Sequence, residues 1–462
     1  MYCAYITTIK ELRKHSNADR LQCATIFGNN VIVDLSYIEG QRVIYFPTDG
    51  QLSEEFANDN NLVRKKDDAG NNIGGYLDPD KRNITALKLR GEKSDGLVLP
   101  VEVLSKYVDI NTLKDGEQIT MLNGHEICKK YIPRSNHRQS GGANTGNRTR
   151  KKKVPVAPLF SEHADTEQLA YNLSAFKPND EIEITLKMHG TSQRTGYLPV
   201  FKRYKRNLLD RILRRDGTPI YDWGYVSGTR RTVLENFDGG YYGSNEFREA
   251  HSKFFEGKLM KGESVYYEVV GFTHTGTPIM ASCNNKKLND KEFVKQYGEE
   301  TVFSYGCLPD TGWKDIQTDN EIPQSDIYVY RMTMTNEDGF VVEYTPDFMR
   351  YRCEQMGAKC VPVFDKFVIP EDIENIGFET DEGYEYKTAG EYVKEIAEQY
   401  YDGTDPIGKT HIIEGVVVLI INRPKFTAYK HKNFNFKVLE GIIKDTASAP
   451  DIEEAQELAK DE

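Results

Sequence analysis

A lysine held at the end of a strand can act as a nucleophile, and this chain offers one in Thr185-Leu186-Lys187-Met188-His189-Gly190-Thr191-Ser192. The alternation from Ile182 to Leu186 predicts a strand leading into Lys187. Gly190 lets the backbone turn closely under a ligand. A free lysine, with a pKa of ~10.4, is mostly protonated and inert. Neighbouring cations and desolvation lower that value and make the amine reactive.

Partners for such a lysine follow in the order Lys187-Met188-His189-Gly190, Ser227-Gly228-Thr229-Arg230-Arg231, Tyr266-Tyr267-Glu268, Tyr328-Val329-Tyr330, Glu414-Gly415-Val416-Val417 and Lys430-His431-Lys432. Each alone is weak. Lys-x-x-Gly arises by chance a few times in a chain of this length. A single Glu in a strand is more often hydrogen-bonded structure than a ligand, and Lys430-x-Lys432 more often a solvated strand face. Together they form a chemical set. Glu268 and Glu414 are hard oxygen donors for Mg²⁺ or Mn²⁺. Lys430 and Lys432 would neutralise charge developing on a phosphate and supply the field that activates Lys187.

The ordered set resembles motifs I, Ia, III, IIIa, IV and V of the covalent nucleotidyltransferase superfamily of ligases and capping enzymes. The resemblance implies that Lys187 attacks the α-phosphate of ATP and carries AMP. It implies a nucleotide site of Leu186, Lys187, Gly190, Arg230, Arg231, Glu268, Tyr330, Glu414, Val416, Lys430 and Lys432. There Tyr330 stacks on the adenine, with Tyr328 as the alternative, and Val416 covers the opposite face. Glu268 also bonds the ribose. Either Arg230 or Arg231 holds a phosphate. Catalytic roles fall to Lys187, His189, Lys430 and Lys432, and metal binding to Glu268 and Glu414. His189 would act after the first step. Ser192 and Arg194, with the basic run Lys151, Lys152 and Lys153, are expected to touch nucleic acid. Arg331 follows Tyr330 where many ligases have Asp.

His189 and Thr191-Ser192 resemble the Lys-x-His-Gly-Thr pattern of nick-sealing RNA ligases. The N-terminal stretch His15-Ser16-Asn17-Ala18-Asp19-Arg20-Leu21-Gln22, with Gly40-Gln41-Arg42-Val43-Ile44-Tyr45-Phe46-Pro47, resembles the OB-type domain of tRNA-binding modules. Only about 25 residues follow Lys437, too few for a second barrel. A leading OB-like domain and this catalytic signature resemble the Deinococcus-type RNA ligases. The resemblance implies ATP-dependent sealing of 3′-OH/5′-phosphate breaks, in nicked RNA-containing duplexes, through a lysyl-AMP and an adenylylated 5′ end, by a monomer. A DNA ligase, a GTP-dependent capping-type nucleotidyltransferase and a catalytically silent RNA-binding protein are the competing readings.

The elements that must position these residues form an α+β fold. An N-terminal OB-like β-barrel (1–125) precedes a basic flexible linker (126–158). A nucleotidyltransferase (adenylyltransferase) domain built on antiparallel sheets (159–445) and an acidic C-terminal tail (446–462) follow. Five short β-rich runs, Tyr5–Ile9, Leu21–Phe27, Val31–Asp34, Arg42–Phe46 and Gly96–Leu99, suit a small barrel. The Ser140–Asn147 stretch cannot form a core. Asp165 to Leu173 has helical spacing, and Ile452 to Ala459 reads as a short amphipathic helix.

The 462 residues carry a net charge of −11, which on its own argues against a nucleic-acid partner. The charge is uneven, however: no acid falls between Glu126 and Glu162, and a second basic stretch holds Lys202, Arg203, Lys205, Arg206, Arg211, Arg214 and Arg215. Local fields govern encounters with a polyanion. The seven cysteines are scattered without a CxxC pair, which fits reduced thiols in the cytoplasm better than disulfides or zinc. No apolar run reaches the ~18 residues of a membrane span. The N-terminus does not read as a signal peptide.

Overall fold

The computed structural model describes residues 2–66, 72–132, 154–163, 166–208, 212, 217–238, 242, 244–315, 317–380 and 383–445. Lys151, Lys152, Lys153, Arg211, Arg214, Arg215, most of the linker and the Ile452–Ala459 segment lie outside these residues.

The fold is mixed α/β, rich in sheet and with few helices. It divides into two compact units, Met1–Ser135 with Phe434–Ala449, and Asn136–Asn433 with Pro450–Glu462. In the first unit, β1 (Ala4–Thr8), β2 (Glu11–Lys14), β3 (Leu21–Ile26), β4 (Asn29–Asp34), β5 (Arg42–Phe46) and β6 (Gly50–Leu52) are followed by the short helix α1 (Glu54–Asp59). Then come β7 (Asn83–Ile84), β8 (Leu97–Pro100), β9 (Gln118–Ile119) and β10 (Cys128–Lys130). These form sheets in the orders β8-β5-β1-β9, β2-β3-β4 and β10-β6-β7. All five β-rich runs read from the sequence fall on these strands. Among the described residues their hydrogen bonding resolves into separate sheets rather than one closed ring. Ile6, Ile44, Phe46, Leu52, Phe56 and Ile119 fill the core between them.

The second unit holds β11 (Glu167–Gln168), β12 (Glu181–Leu186), β13 (Thr191–Lys205), β14 (Thr218–Gly228), β15 (Val233–Leu234), α2 (Glu246–Phe254), β16 (Glu263–Gly271) and α3 (Lys291–Tyr297). It continues with β17 (Ser325–Thr335), β18 (Val341–Glu343), α4 (Pro346–Met356), β19 (Val363–Val368), α5 (Ala389–Glu398), β20 (Gly415–Ile420) and β21 (Ala428–Lys432). One sheet runs β11-β21-β20-β12-β19 and the other β15-β14-β13-β16-β17-β18. Every pairing in them is antiparallel except β11 with β21.

Strand alternation decides what each sheet face meets. On the five-stranded sheet, Ile182, Ile184, Val416, Val418 and Ile420 turn to one side and pack on Val393 and Ala397 of α5. A capping box between Thr388 and Glu391 starts that helix, satisfying amide groups that would otherwise be orphaned. Glu183, Thr185, Val417 and Leu419 turn to the other side and line a cleft.

Two expectations change here. The Asp165–Leu173 spacing does not make an α-helix: the described part is β11 followed by single 3₁₀ turns, Leu169–Tyr171 and Leu173–Ala175, broken at Asn172. Residues 434–445, drawn from the sequence as the end of the 159–445 domain, form helix α6 (Phe434–Asp445) and group with the first unit. There Lys437 pairs with Asp95, and Lys93 lies over the Phe434 ring.

Candidate active site

Three strand ends meet at one edge of the five-stranded sheet. Lys187 follows β12, Glu414 precedes β20 and Lys432 ends β21. Because β21, β20 and β12 are neighbours and antiparallel, these ends come together without any long-range device. The backbone is pinned on both sides of the lysine: Lys187 N–H donates to the Gly415 carbonyl at 3.0 Å and Leu186 N–H to Pro362 at 2.9 Å. Asn433 N–H donates to the Glu414 carbonyl at 2.8 Å.

Glycine is required at two points. A Cβ on Gly190 would lie 2.4 Å from the Val269 carbonyl oxygen. Gly415 has φ +141°, and a Cβ there would lie 2.1 Å from the His431 carbonyl oxygen. Both contacts are with backbone, which cannot swing aside.

The side chains form an ion cluster. Glu414 Oε1 accepts from Lys187 Nζ at 2.8 Å and lies 3.1 Å from Lys432 Nζ, while Oε2 lies 3.5 Å from His189 Nδ1. Burial works against the charged form of Glu414. The ammonium groups of Lys187 and Lys432 and the His189 ring outweigh it and hold the carboxyl well below the usual carboxylate range. His189 is itself buried: its backbone N–H donates to the Tyr305 hydroxyl at 2.7 Å, and its ring meets Phe303 edge-on at 4.6 Å.

The other sheet faces this cluster across the cleft. Glu268 sits on β16 opposite Ser192 and Tyr328. The register between β16 and β17 slips at Tyr266/Tyr267. Tyr330 is thereby left as the extra residue of a bulge, the usual means by which a strand re-aims a side chain. Tyr330 lines the cleft, shares a 2.9 Å hydrogen bond with Ser192 Oγ, and packs on His163 at 5.0 Å. Tyr328 is buried elsewhere, under Lys359. Of the arginine pair, Arg230 lines the cleft, while the Arg231 carbonyl accepts from Arg194 at 3.0 Å. Leu186 and Lys187 are also in the lining. Lys430 lies opposite Val417 in the ladder, two residues from Lys432. The cleft holds about 1080 Å³ of empty space, open solvent at its mouth included.

Two expected site residues are placed differently. Val416 packs in the core against α5, and Val417 takes the cleft-facing position. A one-residue shift along a strand changes the face. Arg194 is 1 % exposed. Its guanidinium donates to the carbonyls of Thr229, Phe160, Ser161 and Arg231 and stacks on the Phe160 ring. It ties the chain together and has no face for a nucleic acid.

Other cleft residues escaped the sequence reading. Glu183, buried on the cleft face of β12, is held by both terminal nitrogens of Arg350 at 2.9 and 2.7 Å. The pair raises the Arg350 pKa above its usual value. Arg331 pairs with Glu343 through two nitrogens, reaches His163 Nδ1 at 3.3 Å, and lies over the rings of Tyr266 and Phe426. Burial, with the charges of Arg230 and Arg331, pushes His163 well below its ordinary pKa, so its ring is neutral. The polar alternate position of Glu183 in an apolar strand was the available signal. Arg350 carried none.

Among the described residues no cluster of three or more His, Cys, Asp or Glu is placed to hold a metal. Three carboxylates line the cleft, Glu183, Glu268 and Glu343, of which Glu183 is held by Arg350 and Glu343 by Arg331; Glu414 adjoins it through Lys187. A sparse set fits Mg²⁺ or Mn²⁺ held mainly by phosphate oxygens and water.

The fold is similar to those of solved Naegleria gruberi RNA ligase structures. A mutant with ATP and Mn has a TM-score of 0.54 at 15% identity, covering 95% of this chain and 98% of that one. The enzyme with PPi has 0.53 at 14% identity, covering 94% and 98%. A mutant with AMP and Mn has 0.51 at 15%, covering 94% and 97%. At this identity the likeness is one of fold. No protein-family profile and no curated protein matches the sequence. No helix among the described residues is long and apolar enough to cross a membrane.

Proposed function

We propose that this chain is an ATP-dependent RNA ligase of the Deinococcus type, sealing 3′-OH/5′-phosphate breaks in RNA-containing duplexes. The observation that carries the reading is the convergence of Lys187, Glu414 and Lys432 at one sheet edge. Glu268 and Tyr330 stand across the cleft. The fold is shared, over nearly the whole of both chains, with RNA ligases whose structures hold ATP, AMP and PPi.

Lys187 Nζ attacks the α-phosphorus of ATP, the P–N bond forms and the bond to pyrophosphate breaks. An oxygen of the 5′-phosphate then displaces Lys187 and takes the AMP. Last, the 3′-OH attacks the activated 5′-phosphate, AMP leaves and the phosphodiester closes. Lys432 and Lys430 offset charge on the phosphates. Tyr330 packs on the adenine, with Val417 rather than Val416 on the cleft wall. Arg230 holds a phosphate. Glu268 and Glu414 would hold the divalent cation, which shields phosphate charge when bound. His189 steadies Glu414 and, through it, the later steps. The first unit, as an OB-like module, and Lys151–Lys153 would hold the duplex. The protein acts as a cytoplasmic monomer in this reading.

The test is incubation with α-labelled ATP or GTP and Mg²⁺ or Mn²⁺. Covalent label from ATP that is absent in Lys187→Ala is the expected result. Label from GTP only would move the assignment to capping chemistry, and no label from either would overturn the enzyme reading. Nicks with a ribose or deoxyribose 3′ end then separate RNA from DNA sealing.

A further inference from the structure

Strands β13 and β14 extend as a two-stranded ribbon, and directly opposed residues share a face. Leu198, Val200 and Val226 lie on one face, covered by Ala157 and Phe160. The other face begins under α2, where Ser227 bonds Ser252 and the Tyr225 hydroxyl accepts from Gly257 N–H. Beyond that point it carries rings: Tyr197 opposite Tyr225, Phe201 opposite Tyr221, Trp223 opposite Pro199 and Tyr204 opposite Pro219. Tyr197 and Tyr225 stack at 4.7 Å, and Phe201 meets Tyr204 at 5.0 Å and Tyr221 at 6.1 Å. All six rings are part exposed.

Cations flank the stripe on both faces of the ribbon. Lys202 is the extra residue of a bulge, Arg203 and Lys205 alternate with Tyr204 and take the reverse face, Arg206 follows the strand, and Lys261 lies over the Trp223 ring at 5.4 Å. Among the described residues of the two strands the acid is Asp222, paired with Lys202 at 3.7 Å. A basic, aromatic ribbon on a chain of net charge −11 is complementary to one kind of polymer. Phosphates meet the cations and unpaired bases stack on the rings. A duplex keeps its base faces inside the stack and cannot use them.

We propose that the β13–β14 ribbon is a binding surface for single-stranded RNA, distinct from the nucleotide cleft. It goes beyond the ligase reading, and binding is measured without ATP, so either can fail alone. The probe is a fluorescently labelled single-stranded oligoribonucleotide, with a blunt RNA duplex as comparison and the full chain as protein. Tyr204→Leu and Trp223→Leu keep an apolar body but remove the π face. Each is expected to weaken single-strand binding roughly five- to a hundredfold and to leave duplex binding unchanged. Arg203→Ala with Lys205→Ala is expected to lower the slope of log K against log salt by roughly 0.7 per charge. Unchanged single-strand affinity in ring variants that melt like the parent overturns the proposal, since the rings then only staple the ribbon. Equal weakening toward the duplex also overturns it. If the ring variants do not fold, the charge variants decide, and an unchanged salt slope rejects the surface.

Discussion

Replacing Glu414 with Gln keeps the volume and removes the anion that three cationic or ionisable side chains share. Glu414 is 4% exposed, Lys187 20% and Lys432 11%, so solvent does little to screen what is left. Removing one partner of a buried ion cluster costs about 3–5 kcal/mol, because the remaining charges keep their desolvation penalty. The folded-state pKa of Glu414 is depressed. Its contribution is therefore present above the unfolded value of ~4.3 and lost as pH falls through the lower folded value. The parent should lose stability on acidification below about pH 5, and Glu414→Gln should lack that component. Both tryptophans, Trp223 and Trp313, lie in the second unit. Their fluorescence during urea unfolding therefore reports the unit that holds the cluster. A loss below about 1 kcal/mol near neutral pH, with an acid limb like the parent's, would refute the shared-carboxylate argument.

Gly415→Ala places a Cβ 2.1 Å from the His431 carbonyl oxygen. It should prise β21 from β20, separate Lys432 from Glu414 and cut self-adenylylation along with stability; full labelling would contradict the strand-edge geometry. Arg194→Met strips donors from four carbonyls at about 1–3 kcal/mol each for the buried ones. Unfolding should become easier by roughly 3 kcal/mol or more, while the RNA affinity of the folded fraction stays as in the parent. Val416→Ala should lower the melting temperature with ATP KM unchanged, and Val417→Ala should do the reverse; the opposite pattern would restore Val416 to the cleft. Arg350→Met leaves Glu183 buried without its partner and should destabilise the second unit by about 3–5 kcal/mol, read by the same urea titration.

What the sequence disclosed, and what it withheld, follows from the range of the interactions. Lys187, Glu414 and Lys432 were legible as members of an ordered motif set; Lys187 and Glu414 flank apolar strands, and antiparallel pairing of neighbouring strands brings the three ends together. Tyr330 was legible as an aromatic in a strand, but the choice between it and Tyr328 turns on a bulge opposite Tyr266/Tyr267, which has no local signature. Val416 and Val417 are equally apolar, and which of them meets the cleft depends on α5 covering one sheet face. Arg194 was expected to touch nucleic acid because an arginine is normally solvated. Its acceptors come from residues 33 to 37 positions away that fold back over it. Glu183 and Arg350 are separated by 167 positions, and no pattern on either strand or helix names the other. Short-range alternation thus locates the strands and their ends, whereas the assignment of each face and of each buried charge waits on which distant element covers it.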